Sequence, residues 1–522
     1  MKYFSKAGNV KTKISRVYAD LTQGLCMPQN QKKNSALDMM NFSSDKYPWL
    51  ASRRRLRVRY YAQDYSQGVG AYNATIYYVK DGMFYYGGVE KFEVSEGKKT
   101  FYDYNGKIII FPDMIHYDPN TGKHGKFGVA TEEITYKISN RVVGTVNFGL
   151  ASIHSEDVKL TDYFTVGDGI KITDEEGLGI SGFHTITAVN KIYGVLFFDK
   201  FEFGDGQGFT LTGKISNGGP EKCDAGCVCG GRVWVVAGNK IHASTINDEC
   251  NWAVGGDDEK SSFVCDFDNG DTITACIELE GNPVFFSEKK IYKVYGDRAS
   301  NFHLKCCSNW GGIPKNMSRT VAVLKDKIFY VSEHGVTCFN GSTPKILEHI
   351  TFSADTEVYA AAGGQRYYAF IDNGDVFFYV YDDMSNQWHK YGEHEVSNFF
   401  TYKGALYACT KQGIHELWGE SDLLKPYNIE VPTEVFADFL FDVGGGRPLR
   451  VGIDVDCRDD VDCEIYISYD AEGERKLIKA IKGEFLGIIE IPLVPKDCQR
   501  LTVGLVGEGD ITIKELYVEF IG

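Results

Sequence analysis

With 522 residues, a formal charge of −15 and 57 Gly against only 13 Pro, the chain is long enough for several cores and too acidic to coat nucleic acid, which needs a surplus of clustered Lys and Arg. The opening MKYFSKAGNVKTK lacks the uninterrupted apolar stretch of a signal peptide, and no run approaches the roughly 18 apolar residues of a membrane span. Synthesis and folding in a cytoplasm are therefore expected, with the 14 cysteines reduced and packed as small hydrophobes.

Residues 1–60 read as an arm. ISRVYADL, from Ile14, alternates like a strand, and SALDMMNFSSD, from Ser35, places Asn, Ser and Asp around a short apolar segment. The arm is too short to fold alone and must lie against the rest. After the apolar YPWL stretch come Arg53, Arg54, Arg55, Arg57 and Arg59. A solvated strand edge is one reading of this run; an electrostatic anchor onto an acidic neighbouring subunit or a phosphate backbone is the other. Trp49 and these five arginines are the candidate assembly-interface residues.

From there the chain repeats itself. KDKIFYVSEHGVTCFNG, from Lys325, sets a short apolar strand, a turn and a second strand in line, and six further segments align on it, starting at Val79, Asn105, Gly230, Gly281, Gln365 and Lys403. All flank a Gly, Asn or Asp turn with β-branched and aromatic residues. A unit returning every roughly 40–50 residues is the signature of a β-propeller, here of six or seven blades over residues 61–144 and 220–430; an ordinary meander in a sandwich is the alternative. Between the second and third units the spacing grows by roughly eighty residues, too many for a structureless loop. Residues 145–219 are expected to form an inserted small β-barrel, from strands in FTVGDGIKI, SGFHTITAVN, VLFFDKFEF and GFTLTGKI. Residues 431–522 change to longer alternating strands, with Leu449, Val451, Ile453, Val455 and Cys457 on one face, and predict a C-terminal β-sandwich or jelly roll. In the last strand the apolar phase slips across Glu515, which predicts a β-bulge.

Chemistry is sparse. Cys223, Cys227 and Cys229, with Cys250 and Cys265 downstream, resemble a metal site, but no second knuckle completes it, and no metal or other cofactor is expected. Cys227 and Cys229, one residue apart in a strand, should face the same way. His116, His184, His242, His303, His334, His389 and His415 occur singly, no nucleophile motif is present, and no residue is assigned a catalytic role. SYDAEGERK, from Ser468, lacks the Thr-Trp ending of a sialidase Asp box and reads as a hairpin, and DFDNGD, from Asp266, reads as a turn. Trp388 and Trp418 are candidates for an exposed aromatic platform.

The segments ALDMMNFSSDKYPWLASRRR, GGRVWVVAGNKIHASTINDECNW and FFSEKKIYKVYGDRASNFHL, the last running into KDKIFYVSEHGVTCFNG, resemble virion structural proteins of tailed bacteriophages and prophages of Gram-positive bacteria. In plan the chain is similar to the tail-nozzle proteins of short-tailed phages, propellers with a threaded N-terminal arm. The resemblance implies a non-enzymatic subunit of the tail or neck, assembled in the bacterial host cytoplasm. Its partners would be other virion subunits, in a homo-oligomeric ring or with tail and neck neighbours, with neither sequence-specific nucleic acid nor membrane among them. Two further functions stay open: a module that binds host-surface glycans, and a carbohydrate-active propeller, which needs two converging carboxylates.

Overall fold

A computed structural model of the chain describes residues 14–19, 24–25, 36–53, 57–61, 64–143, 146–166, 168–172, 182–199, 208–252, 261–267, 270–348, 357–372, 377–392, 396–411, 413–418, 436–443, 446–470 and 475–521. The seven hairpins read from the sequence fall in seven four-stranded antiparallel sheets, numbered here in chain order: the six from Asn105 onward are second and third strands, and the one from Val79 covers the third and fourth strands of the first sheet. The first six are meanders, spanning residues 69–93, 100–126, 225–266, 273–308, 322–348 and 357–392. The seventh takes three strands from residues 396–418 and its fourth from the arm. Turn chemistry sets the register. Asn105-Gly106, Glu280-Gly281 and Lys403-Gly404 each carry positive φ at both residues, the two-residue geometry whose twist matches that of the strands it joins.

The chain divides into two units. One comprises residues 64–333 and 337–345, and the other residues 1–63, 334–336 and 346–522. In the first unit, consecutive sheets adjoin through their leading strands, Thr100–Tyr104 beside Ala225–Cys229 and the latter beside Ile273–Leu279. Both faces of each middle strand are thereby covered. Ile108 and Ile110 pack toward the first sheet with Tyr77, Val79 and Phe84, while Ile109 and Phe111 pack toward the third with Val233, Val235 and Trp252. Covering both faces explains why the second strands KIIIF and RVWVVA are nearly continuous apolar runs instead of alternating ones. Arg319, leading into the fifth sheet, donates to the carbonyls of Ser66 and Lys99 at 3.5 and 3.1 Å, at the starts of the first and second sheets. The five sheets of this unit therefore curve back around shared ground.

Also in this unit is an inserted five-stranded sheet, ordered Ala188–Asn190, Val195–Asp199, Val146–Ser155, Ile134–Val143, Gly208–Gly213. A two-stranded ribbon, Gly169–Ile172 with Gly182–Thr185, shares its core of Ile138, Ile153, Phe164, Ile170, Leu196 and Phe198. Its longest hairpin, Ile134–Val143 with Val146–Ser155, starts ahead of residue 145 and was not among the expected strands.

In the second unit two long strands, Arg447–Tyr469 and Leu501–Ile521, pair along their whole length. Val451, Ile453, Val455 and Cys457 are buried together as the alternation predicts, and the register skips Lys514, next to the expected slip at Glu515. The strand pair is folded. Cys457 and Cys463 are six residues apart, about 20 Å along a straight strand, yet their thiols are hydrogen-bonded, and the register shifts between Arg458 and Asp462. Gly507 and Gly509 make the bend passable: a Cβ on Gly507 would lie 2.4 Å from that of Cys463, and Gly509 has φ +105°. Each half of the ladder collects edge strands. Phe436–Val443 and Lys476–Lys482 flank the half beyond the bend.

The arm completes this unit. Its strands are β1 (Ile14–Ala19), β2 (Ala36–Met40), β3 (Phe42–Ser43), β4 (Leu50–Ser52) and β5 (Arg57–Tyr61). β1 and β4 pair with Leu501–Ile521, β2 pairs with Phe436–Val443, and β5 is the fourth strand of the seventh sheet. Phe485–Pro492 edges the half-sheet whose opposite edge is β1.

Candidate functional site

The arginine run is not gathered into one exposed anchor. Arg53 is buried: its Nε donates to Asn41 Oδ1 and its Nη2 to the Gly392 carbonyl, both at 2.9 Å, and its guanidinium lies 4.9 Å from the Tyr391 ring centroid. Gly392 N in turn donates to Asn41 Oδ1 at 2.9 Å, so Asn41 and Arg53 clasp the arm to the edge of the sixth sheet. Arg57 and Arg59 lie on β5, with Arg57 opposite Glu416 in register, and their side chains lie outside the described residues, as do Arg54 and Arg55 entirely. Trp49 is 43% exposed, with Lys514 Nζ 5.8 Å from its ring. Trp388 does not form an exposed platform; it is buried against Tyr381. The side chain of Trp418 is outside the described residues.

A polar cluster that the sequence did not reveal sits between the second and third sheets. His116, on Ile115–Tyr117, shares a sheet face with Ile109 and Lys107. Opposite them is the turn after Lys240–Ala243, held by Asp248 Oδ1 accepting from Cys250 N at 3.1 Å and by Asn217 Nδ2 donating to the Cys250 carbonyl at 3.0 Å. Trp252 Nε1 and Asn217 Nδ2 both donate to the Phe127 carbonyl, which locks the far end of the turn. This scaffold brings Glu249, 2% exposed at its side chain, to 3.1 Å from His116 Nδ1, and Cys250 Sγ to 3.7 Å from the same nitrogen. Lys107 Nζ is ion-paired with the same oxygen of Glu249.

Burial governs the protonation states. It pushes the Cys250 thiol up, assisted by Glu249, Asp168 and Asp248, and raises the carboxyls of Asp168 and Asp248. It pushes His116 down, with Glu249 opposing, so the imidazole is neutral. The cluster cannot act as a Cys-His-acid relay, because thiol and carboxylate meet the same ring nitrogen and not opposite ones. Of the cysteines first grouped with Cys250, Cys223 packs against the same apolar layer as Cys250, whereas Cys227 and Cys229 face the same way, as their spacing implies, into the layer between the third and fourth sheets, where Cys265 also packs.

No family model matches the chain. No curated relative matches it either. Among solved structures the chain is similar to BamB from Moraxella catarrhalis, at 11% identity and TM-score 0.35, covering 71% of this chain and 98% of that one. PorZ, a surface component of the type-IX secretion system of Porphyromonas gingivalis, is matched at 10% identity and TM-score 0.28, over 81% and 70%. An exo-β-1,3-galactanase from Phanerochaete chrysosporium is matched at 8% identity and TM-score 0.20, over 54% and 95%. Likeness at this level carries no argument about function.

Proposed function

We propose that the seven sheets form a β-propeller and that the protein is a non-enzymatic structural subunit of a tailed-phage particle, working through contacts with further copies of itself. Three features support the propeller: within each unit leading strands adjoin from sheet to sheet, Arg319 ties the fifth sheet back to the first two, and an N-terminal strand completes the last sheet. One observation carries the assembly reading. The half-sheet ordered β1, Leu501–Ile521, Arg447–Tyr469, Phe485–Pro492 has two outer edges without a strand partner among the described residues, and both expose apolar side chains. Ile14, Val17 and Tyr18 stand on one, and Phe485, Leu486 and Ile488 on the other, with Val494 just beyond and 79% exposed. Open apolar edges invite strand addition, and two different edges on opposite sides of one sheet suit head-to-tail contacts that close into a ring. Light scattering at rising concentration tests this: a defined oligomer is expected, and a monomer at every concentration refutes it.

A host-glycan-binding role is the second reading. Tyr163 and Tyr193 are exposed on the inserted sheet together with Ile192, and Gly194 packs on Lys159, which keeps the two tyrosine-bearing loops adjacent. Exposed aromatic faces of this kind suit sugar rings. Retention of the full chain on purified bacterial cell wall, lost in Tyr193→Ala, would favour it; no retention would remove it.

A further inference from the structure

We propose that His116 Nδ1, the Glu249 carboxylate and Cys250 Sγ form a binding site for one divalent cation of the zinc class. The three donor atoms lie within 4.8 Å of one another, with edges of 3.1 Å between nitrogen and oxygen and 3.7 Å between sulfur and nitrogen. Tetrahedral coordination at ordinary zinc bond lengths requires edges of about 3.3 and 3.6 Å for those two pairs. The geometry is therefore already close to that of a ligand set.

Hydrogen bonding alone satisfies the trio poorly. A ring nitrogen offers one in-plane position, either an N–H for Glu249 or a lone pair for the Cys250 thiol. Each choice leaves one of the two neighbours facing the wrong partner, whereas a cation at the centre serves all three. Charge points the same way: Asp168, Asp248 and Glu249 all act electrostatically on Cys250, and Lys107 is the cation acting against them. Lys107 would leave Glu249 when metal enters, and its side chain, one-third exposed, has solvent to move into. The nitrogen, sulfur and oxygen donors favour zinc, cobalt or nickel over magnesium or calcium, and three protein ligands leave a fourth position for water or an incoming group.

Cobalt(II) titration of the full-length, metal-stripped protein tests the site. The expected result is one equivalent bound with a thiolate-to-cobalt charge-transfer band and visible d–d bands of tetrahedral intensity, displaced by zinc. Cys250→Ser should abolish the charge-transfer band, and His116→Gln should weaken binding at least tenfold. Lys107→Met, which removes the competing ammonium, should tighten it. Melting temperatures measured without metal establish that each variant is folded. Absence of the charge-transfer band in the wild-type protein overturns the proposal. So does cobalt binding that Cys250→Ser and His116→Gln leave unchanged, since exposed residues such as His303 and Cys306 would then be the ligands.

Discussion

Replacing Arg53 by alanine separates a clasp inside the protein from an anchor onto a neighbour. The side chain makes two hydrogen bonds of 2.9 Å from a charged donor and stacks on Tyr391. Such bonds contribute about 1.5–3 kcal/mol each, and removing the guanidinium recovers part of that through its lost desolvation cost, so a net loss of about 2–4 kcal/mol is expected. The Asn41 carbonyl oxygen keeps the Gly392 amide as a donor, which holds the loss below the full value. Arg53→Lys should restore only part, because an ammonium cannot span both acceptors with the planar fork. Urea unfolding followed by tryptophan fluorescence is a suitable assay: Trp388 is on the same strand as Gly392, and its carbonyl accepts from Leu25 of the arm. An unchanged midpoint in Arg53→Ala, combined with dissociation of an oligomer, would refute the reasoning and return Arg53 to the interface.

Other substitutions test neighbouring parts of the account. Arg16→Ala removes an exposed pair with Glu519 and should leave the urea midpoint unchanged within error. Gly507→Ala puts a Cβ 2.4 Å from that of Cys463 and 2.5 Å from the Asp462 carbonyl oxygen at the bend, so calorimetry should show a loss of about 2–4 kcal/mol. His389 is fully buried near Arg366, Asp382 and Asp45, and burial pushes its pKa down to about 3. Between the unfolded value near 6.5 and that depressed one, the unfolded chain binds the extra proton, so stability falls as pH falls, by up to about 1.4 kcal/mol per unit. His389→Gln should flatten the profile from about pH 6 to 4.5 by that slope, measured as urea midpoints across the series; an unchanged slope would mean that the ring is charged in the folded protein.

Local regularities were legible and distant juxtapositions were not. The seven hairpins could be read because each packs its turn residues and apolar strands into about 17 contiguous positions, and two-residue turns with positive φ leave a compositional trace. The bulge near Glu515 could be read because a period-two pattern cannot change phase without an extra residue. The Ile134 hairpin was missed because its first strand, ITYKISNRVV, alternates like the strands of the hairpins before it, which drew the boundary late. Arg53 looked like part of a charge run because one of its two named acceptors, the Gly392 carbonyl, is 339 residues away in the chain. His116 and Cys250 are 134 residues apart on neighbouring sheets, and no spacing rule joins them. Cysteine arithmetic grouped Cys250 with its sequence neighbours, and the fold turned those into apolar layers.

The arm's place in the fold also decides how assembly should be tested. Deleting the residues before Tyr60 would remove β1 to β4 and most of β5, strands that complete two of the protein's own sheets, so a lost oligomer would report misfolding as readily as a lost contact. The more direct measurement is the solution mass of two edge variants, Val17→Asp and Ile488→Asp, alone and mixed. In a head-to-tail contact each variant loses one edge and keeps the other. The account predicts that the wild-type chain forms a defined oligomer, that each variant alone is monomeric, and that an equimolar mixture recovers a dimer through the two intact edges. Variants that both assemble like the wild-type chain, or a mixture that stays monomeric beside an oligomeric wild type, would contradict it.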